Sequence, residues 1–213
     1  MTVEEKPVSP KKARLSLSDV HDEFAHDPAQ PTMADVDEWE RTEARKAAPQ
    51  WRVRPAVDDD CEAIIALDDE TEGFFETSRD YIRGLPEDYE VWVAEDEGGR
   101  IVGWLEGRPD AGLTEELRHP EHRRPYAYIP QMLVSPRTRR QGIGQGLVRA
   151  FVEHAHSRGC TWIALRAKTG YDDDAERLGF FDRCGFQRMP EEPYAGGMGA
   201  PLKDVAAALE TKV

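Results

Sequence analysis

Apolar positions along this chain fall into two periods. Trp51 to Arg54, Glu90 to Glu95, Ile101 to Glu106 and Tyr128 to Val134 cluster or alternate at strand spacing, each followed within a few residues by Gly or Pro. Cys160 to Arg166 predicts one more strand. Helical spacing appears over Asp58 to Asp69, with Cys61, Ile64, Ile65 and Leu67 on the inner side, over Gly73 to Leu85, and most clearly at Leu147, Val148, Phe151, Val152 and Ala155. Gly159 stands where a left-handed cap closes that last helix. Gly98-Gly99 marks a hairpin turn.

Ahead of this patterned region the character changes. Residues 1–32 mix Pro, Ser, Lys and Glu without apolar periodicity and read as a disordered acidic tail. Residues 33–49 read as a charged helix or linker whose single large apolar residue is Trp39. The folded domain is therefore expected over 50–213. Arg108 to Pro125 is a charged, Pro-containing loop, expected to border an acceptor site because connections carry function.

The most specific segment is YIPQMLVSPRTRRQGIGQG, Tyr128 to Gly146. A strand, a basic turn with Arg137, Arg139 and Arg140, then Gly142, Gly144 and Gly146, lead into the amphipathic helix. Glycines let backbone N–H groups turn inward, and the first helical turn adds unpaired donors and the positive end of its dipole. Such a site binds a pyrophosphate. A dinucleotide fold places its glycines directly after the strand and a carboxylate about 20 residues on. Here a basic turn intervenes, and the next strand ends in Arg166 and Lys168. A tight turn without a ligand is the remaining alternative.

These residues resemble the GNAT superfamily of N-acetyltransferases. Arg139, Arg140, Gln141, Gly142, Ile143 and Gly144 match its phosphate loop, and Phe180-Phe181-Asp182-Arg183-Cys184-Gly185-Phe186 is similar to its second motif, in the right order. The resemblance covers about Trp51 to Leu202. It implies an α/β (α+β) fold with a mixed, mostly antiparallel sheet splayed at its middle and flanked by helices, and acetyl-CoA as co-substrate. Pro130, which cannot donate to a ladder, fits a strand that bulges and splays there. The resemblance places Met132, Leu133, Val134, Arg139, Arg140, Gln141, Gly142, Ile143, Gly144, Gln145, Asp174, Phe181 and Arg183 along the cofactor, with the Met132 N–H aimed at the thioester oxygen.

The implied chemistry is acetyl transfer to an amine. A free alkylamine has a pKa near 10.4 and is almost wholly protonated near neutral pH, so a base is required. Glu106 is the best-placed carboxylate, acting directly or through water, with Asp110 and Glu72 behind it; the alternative for each is an ordinary surface acid. The family's usual proton donor, a tyrosine, is replaced by Phe181, leaving Tyr171 as a substitute donor; the family's asparagine in the same helix aligns with Asp174. Two readings stay open: an active acetyltransferase for a small or peptidyl amine, the small cationic amine slightly favoured, or an acyl-CoA-binding regulator or sensor that has lost its acid.

Composition narrows the partners. A formal net charge of -14 and a pI near 4.9 oppose nucleic-acid binding and suit steering of cationic amines, though a generally solvating surface has the same composition. Cys61, Cys160 and Cys184 are scattered and odd in number, which opposes a disulfide framework. His119 and His122, spaced HPEH, read as solvated loop residues, and no metal is expected. The N-terminus lacks an apolar signal core and no run would span a bilayer, so a cytoplasmic enzyme is the expectation, with monomer and homodimer both open.

Overall fold

The computed structural model describes residues 50–71, 75, 77–170, 174–189 and 196–210. The expected tail over 1–32, the charged helix over 33–49, Glu72 and Tyr171 lie outside them.

Seven strands form one sheet: β1 (Trp51–Pro55), β2 (Glu90–Asp96), β3 (Ile101–Arg108), β4 (Tyr126–Val134), β5 (Trp162–Arg166), β6 (Gln187–Arg188) and β7 (Gly197–Pro201), in the order β1-β2-β3-β4-β5-β7-β6. Every pairing is antiparallel except β4 with β5. The parallel pair requires a crossover, which is the amphipathic helix α3 (Ile143–Ser157). The other helices are α1 (Cys61–Asp69), α2 (Arg79–Arg83), α4 (Asp174–Arg183) and α5 (Leu202–Glu210).

Alternation along the strands divides the core between the two faces of the sheet. Leu105, Ile129 and Leu165 pack with Leu147, Phe151 and Val205, which belong to α3 and α5. On the opposite face Trp104, Val93 and Leu133 pack with Ile64 and Leu67 of α1. Gly107 is small because Phe151 crosses the sheet there: a Cβ would lie 2.3 Å from the ring. Arg54 joins β1 to the turn before α1 by a forked pair with the buried Asp60, at 2.6 and 2.8 Å.

Several expectations change in detail. The helix of 58–69 begins as a 3-10 turn over Asp58–Asp60, and Ile65 is half-buried while Cys61, Ile64, Leu67 and Asp68 are buried. Of the helix expected over Gly73 to Leu85, the described helical part is Arg79–Arg83, capped by the Ser78 hydroxyl, which accepts from the Tyr81 N–H. The loop of 108–125 is not wholly polar. Ala111, Leu113 and Leu117 are buried against Tyr126 and Trp162, whose indole N–H donates to the Leu117 carbonyl at 2.9 Å. His119 and His122 are not free loop residues either, since both rings lie on Trp162, with centroids 5.0 and 5.1 Å away. The three cysteines are buried, and the Cys160 thiol donates to the Pro109 carbonyl at 2.7 Å. Among the described residues no helix is long and apolar enough to cross a membrane.

Candidate active site

The β4–β5 ladder runs from Tyr126↔Trp162 to Ile129↔Leu165, while β4 continues to Val134 against β3. The sheet opens at Pro130. The β3–β4 register shifts between Glu106 and Arg108, where Ile129 and Pro130 of β4 stand against the single Gly107 of β3, so the proline falls in a bulge. Beyond it the Ser135 N–H donates to the Val102 carbonyl at 2.9 Å, which sets the phase of the antiparallel ladder. Val134 and Met132 then occupy the positions that do not bond to β3, and their N–H and C=O groups point to the edge that β5 has left.

This edge is one wall of a cavity of about 670 Å³. Met132, Leu133 and Val134 form that wall, Leu165 to Lys168 and the α4 residues Phe180, Phe181 and Arg183 face them, and Arg139, Arg140, Gly142, Ile143, Gly144 and Gln145 close the mouth. The sequence reading thus collects most of its cofactor residues in one place. Gln141 and Asp174 are not in the wall. The Gln141 carbonyl accepts the Trp51 indole N–H at 3.0 Å, and the Asp174 carboxylate accepts from the Gly170 N–H at 2.6 Å and from Arg177 at 3.0 Å, which ties the chain entering α4. Arg137 of the basic turn is also outside the wall.

The local backbone explains the loop. Gly142 is the N-cap of α3 in the left-handed region, φ +81°, and among the described residues no side chain caps the helix; the first intrahelical bond comes from Gly146 N–H to the Gly142 carbonyl. The donors of the first turn therefore face the cavity mouth. Arg140 has φ 65°, a strained value for a residue with a Cβ. Gly144 is tight because a Cβ would meet the Phe180 ring at 3.0 Å. Gly146, by contrast, serves packing: a Cβ there would lie 2.4 Å from the Trp51 ring.

Electrostatics reverse at this wall. The chain has 42 Asp and Glu against 28 Lys and Arg, yet among the described residues Arg139, Arg140, Arg166, Lys168, Arg177 and Arg183 line the cavity beside two acids, Glu70 and Glu176, with Asp174 outside the wall pairing Arg177. Arg140 pairs with Glu176 at 3.3 Å, both largely exposed, a pair of little energetic worth. An uncapped helix terminus among six cations fits a polyphosphate. Among the described residues no cluster suits a metal ion.

At the inner end, Glu70, Thr71 and Phe75 from the α1–α2 connection line the cavity with Gln131. The Ser135 hydroxyl donates to Glu70 at 2.9 Å. Glu106 is not the surface acid its sequence position indicates: it is 0% exposed, on the α1 side of the sheet beside Gln131. The Tyr81 hydroxyl of α2 donates to Glu106 Oε2 at 2.8 Å and accepts from Gln131 Nε2 at 2.8 Å. Burial pushes the Glu106 carboxyl above the usual carboxylate range, the Tyr81 bond and Arg108 opposing it. Burial, then Glu106, pushes the Tyr81 phenol up. Among the described residues Glu106 Oε1 and Gln131 Oε1 are buried without a hydrogen-bond partner. Tyr81 and Trp51 are among the residues that the sequence reading missed, with Glu70, Thr71 and Phe75 of the cavity wall. None sits in a motif, and only strand register and helix placement bring them to the site. No residue of the 108–125 loop lines the cavity, because its apolar anchors hold it on Trp162 instead.

The chain belongs to the acetyltransferase (GNAT) family, whose sequence model matches residues 31–186. Over 117 residues it is 27% identical to the glucosamine 6-phosphate N-acetyltransferase 1 of Oryza sativa subsp. japonica, a match that covers 54% of this chain and 64% of that protein, less than two thirds of its length. The fold is that of the PaiA N-acetyltransferase of Thermoplasma acidophilum, solved in complex with coenzyme A (TM-score 0.53, 12% identity, 71% of this chain and 98% of that one). It is likewise that of a GCN5-related N-acetyltransferase from Kribbella flavida (TM-score 0.54, 19% identity, 71% and 98%).

Proposed function

We propose that the protein transfers the acetyl group of acetyl-CoA to a primary amine by direct attack on the thioester. The observation that carries this reading is the cleft at Pro130, whose mouth is an uncapped helix terminus among cations and whose inner wall exposes the backbone of Met132 and Val134. In this reading the pyrophosphate of acetyl-CoA accepts from the first-turn donors of α3, with Arg139 and Arg140 alongside. The pantetheine arm bonds the free edge of β4. The amine nitrogen forms its bond to the carbonyl carbon, the oxyanion accepts the Met132 N–H, worth about 3 kcal/mol for one such donor, the C–S bond breaks, and the thiolate of CoA leaves and takes a proton.

The acceptor enters from the Glu70–Phe75 side and is a small cationic amine in preference to a peptide. Glucosamine 6-phosphate, the substrate in the rice relative's name, belongs in the test panel as a small primary amine. Phe181 has no proton to give, which favours a second reading: a binder of acyl-CoA that senses and does not turn over. Calorimetry with acetyl-CoA and a thiol-release assay over amines, polyamines, amino sugars and peptide N-termini separate the two. Binding with turnover of any amine supports the enzyme. Binding with no turnover on every acceptor supports the sensor, and absence of binding contradicts both.

A further inference from the structure

Glu106 is sealed: it is 0% exposed and absent from the cavity wall, so an acceptor amine cannot meet its carboxylate directly. Its described polar contact is the Tyr81 hydroxyl, which also holds Gln131, and Gln131 does line the cavity. A hydroxyl has one proton and two lone pairs. With its proton given to Glu106 Oε2 and one lone pair taken by Gln131 Nε2, the Tyr81 oxygen keeps one lone pair. Tyr81 is 38% exposed where Glu106 is 0% exposed, and although it is not itself in the cavity wall its hydroxyl is bonded to Gln131, which is. The same geometry fixes the Gln131 amide with its nitrogen toward Tyr81 and its Oε1 directed elsewhere.

We infer that Tyr81 is a further catalytic residue, a relay that carries the proton of the acceptor ammonium to Glu106, with Gln131 as the residue that positions it; this rests on the transferase reading above. The proton of R–NH3+ passes to the Tyr81 oxygen as the Tyr81 proton passes to the Glu106 carboxylate. The products are R–NH2, an intact phenol and a carboxylic acid, and neither charge nor electrons are left over. The neutral amine then has the lone pair that attack requires. Gln131, which lines the cavity, donates its Nε2–H to the hydroxyl, so the phenol proton stays directed at the Glu106 carboxylate.

Two measurements on the full-length protein test this. The first is a double-mutant cycle with Tyr81→Phe, Glu106→Gln and the pair, assayed with acetyl-CoA against glucosamine 6-phosphate and n-butylamine. Residues acting in one relay are non-additive: each single variant is expected to lower kcat on the order of a hundredfold, and the pair to be no slower than the worse single. The second needs no turnover. Glu106 is titrated by carbon-13 NMR of its carboxyl, assigned by its loss in Glu106→Gln; the groups that face it are Tyr81 from α2, Gln131 from β4 and Arg108 on its own strand. Tyr81→Phe removes a bond that favours the carboxylate, so the midpoint is expected to rise, and the acid limb of kcat/KM disappears with the relay instead of following the carboxyl. Additive losses, or a Glu106 midpoint unmoved in a folded Tyr81→Phe protein, overturn the relay while turnover by the wild type leaves the transferase reading standing. A wild type that binds acetyl-CoA and acetylates no amine overturns the transferase reading and the relay with it.

Discussion

The indole N–H of Trp51 donates to the carbonyl oxygen of Gln141 at 3.0 Å, across 90 positions of sequence. The same ring lies against Gly146, where no side chain would fit. The first strand of the domain thereby braces the loop that precedes α3, and fixes the carbonyl next to the left-handed Gly142.

Trp51→Phe keeps most of the ring and loses the donor. The loss is expected to cost about 1 kcal/mol of stability and to weaken acetyl-CoA affinity several-fold, read by chemical denaturation and calorimetry. An affinity equal to that of the wild type would show that the loop holds its shape without the brace.

Gly144→Val places two methyl groups toward the Phe180 ring, 3.0 Å from the position of the new Cβ, and beside the donors of the first turn. The ring is a side chain and can shift, so the variant is expected to fold, with a lower melting temperature. Acetyl-CoA affinity should fall roughly tenfold or more, as bulk blocks the approach of phosphate to backbone. Unchanged affinity in the folded variant would remove the phosphate from this loop.

How much of this was legible in the chain differs by element. Strands β1 to β4 and α3 followed from periodicity, and Pro130 pointed to the opening of the sheet because a proline has no donor to leave unpaired there. Strand β7 was not legible: Gly197, Met198, Gly199 and Ala200 show no alternation, and Gly199 is there because the Trp162 ring lies 2.5 Å from where its Cβ would be. Glu106 was found by type and misjudged in burial, since one sequence cannot show that Tyr81, 25 positions earlier, closes over it. Gly146 looked like a third phosphate glycine, and only the packing of Trp51 gives it another purpose.

Glu106→Gln should show a pH-dependent stability difference. Burial raises the folded-state carboxyl above its unfolded value, so the contribution of Glu106 is fully present below the ordinary carboxylate range and is lost as pH rises through the folded value. The melting temperature of the variant is therefore expected to gain on that of the wild type as pH rises from acid toward neutral, then level off. Parallel curves across that range would mean that the carboxylate is not desolvated.

Phe181→Tyr adds a hydroxyl at a position packed edge-to-face between Phe180 and Phe186, with centroids 5.0 and 5.8 Å away, on the cavity wall. A proton donor beside the departing thiolate is expected to raise the rate of the chemical step, by no more than one general acid supplies, about a hundredfold to ten-thousandfold. Pre-steady-state thiol release measures it. No change on any acceptor would mean that the thiolate leaves without help from this position.

The most direct test of the account is a crystal structure of the protein grown with coenzyme A. The account predicts the pyrophosphate on the backbone donors of residues 142–145 with Arg139 and Arg140 beside it, the pantetheine bonded along Met132 to Val134, and the sulfur between the Met132 N–H and Phe181. Coenzyme A bound elsewhere, or a cleft between β4 and β5 left unfilled at saturating ligand, would contradict it.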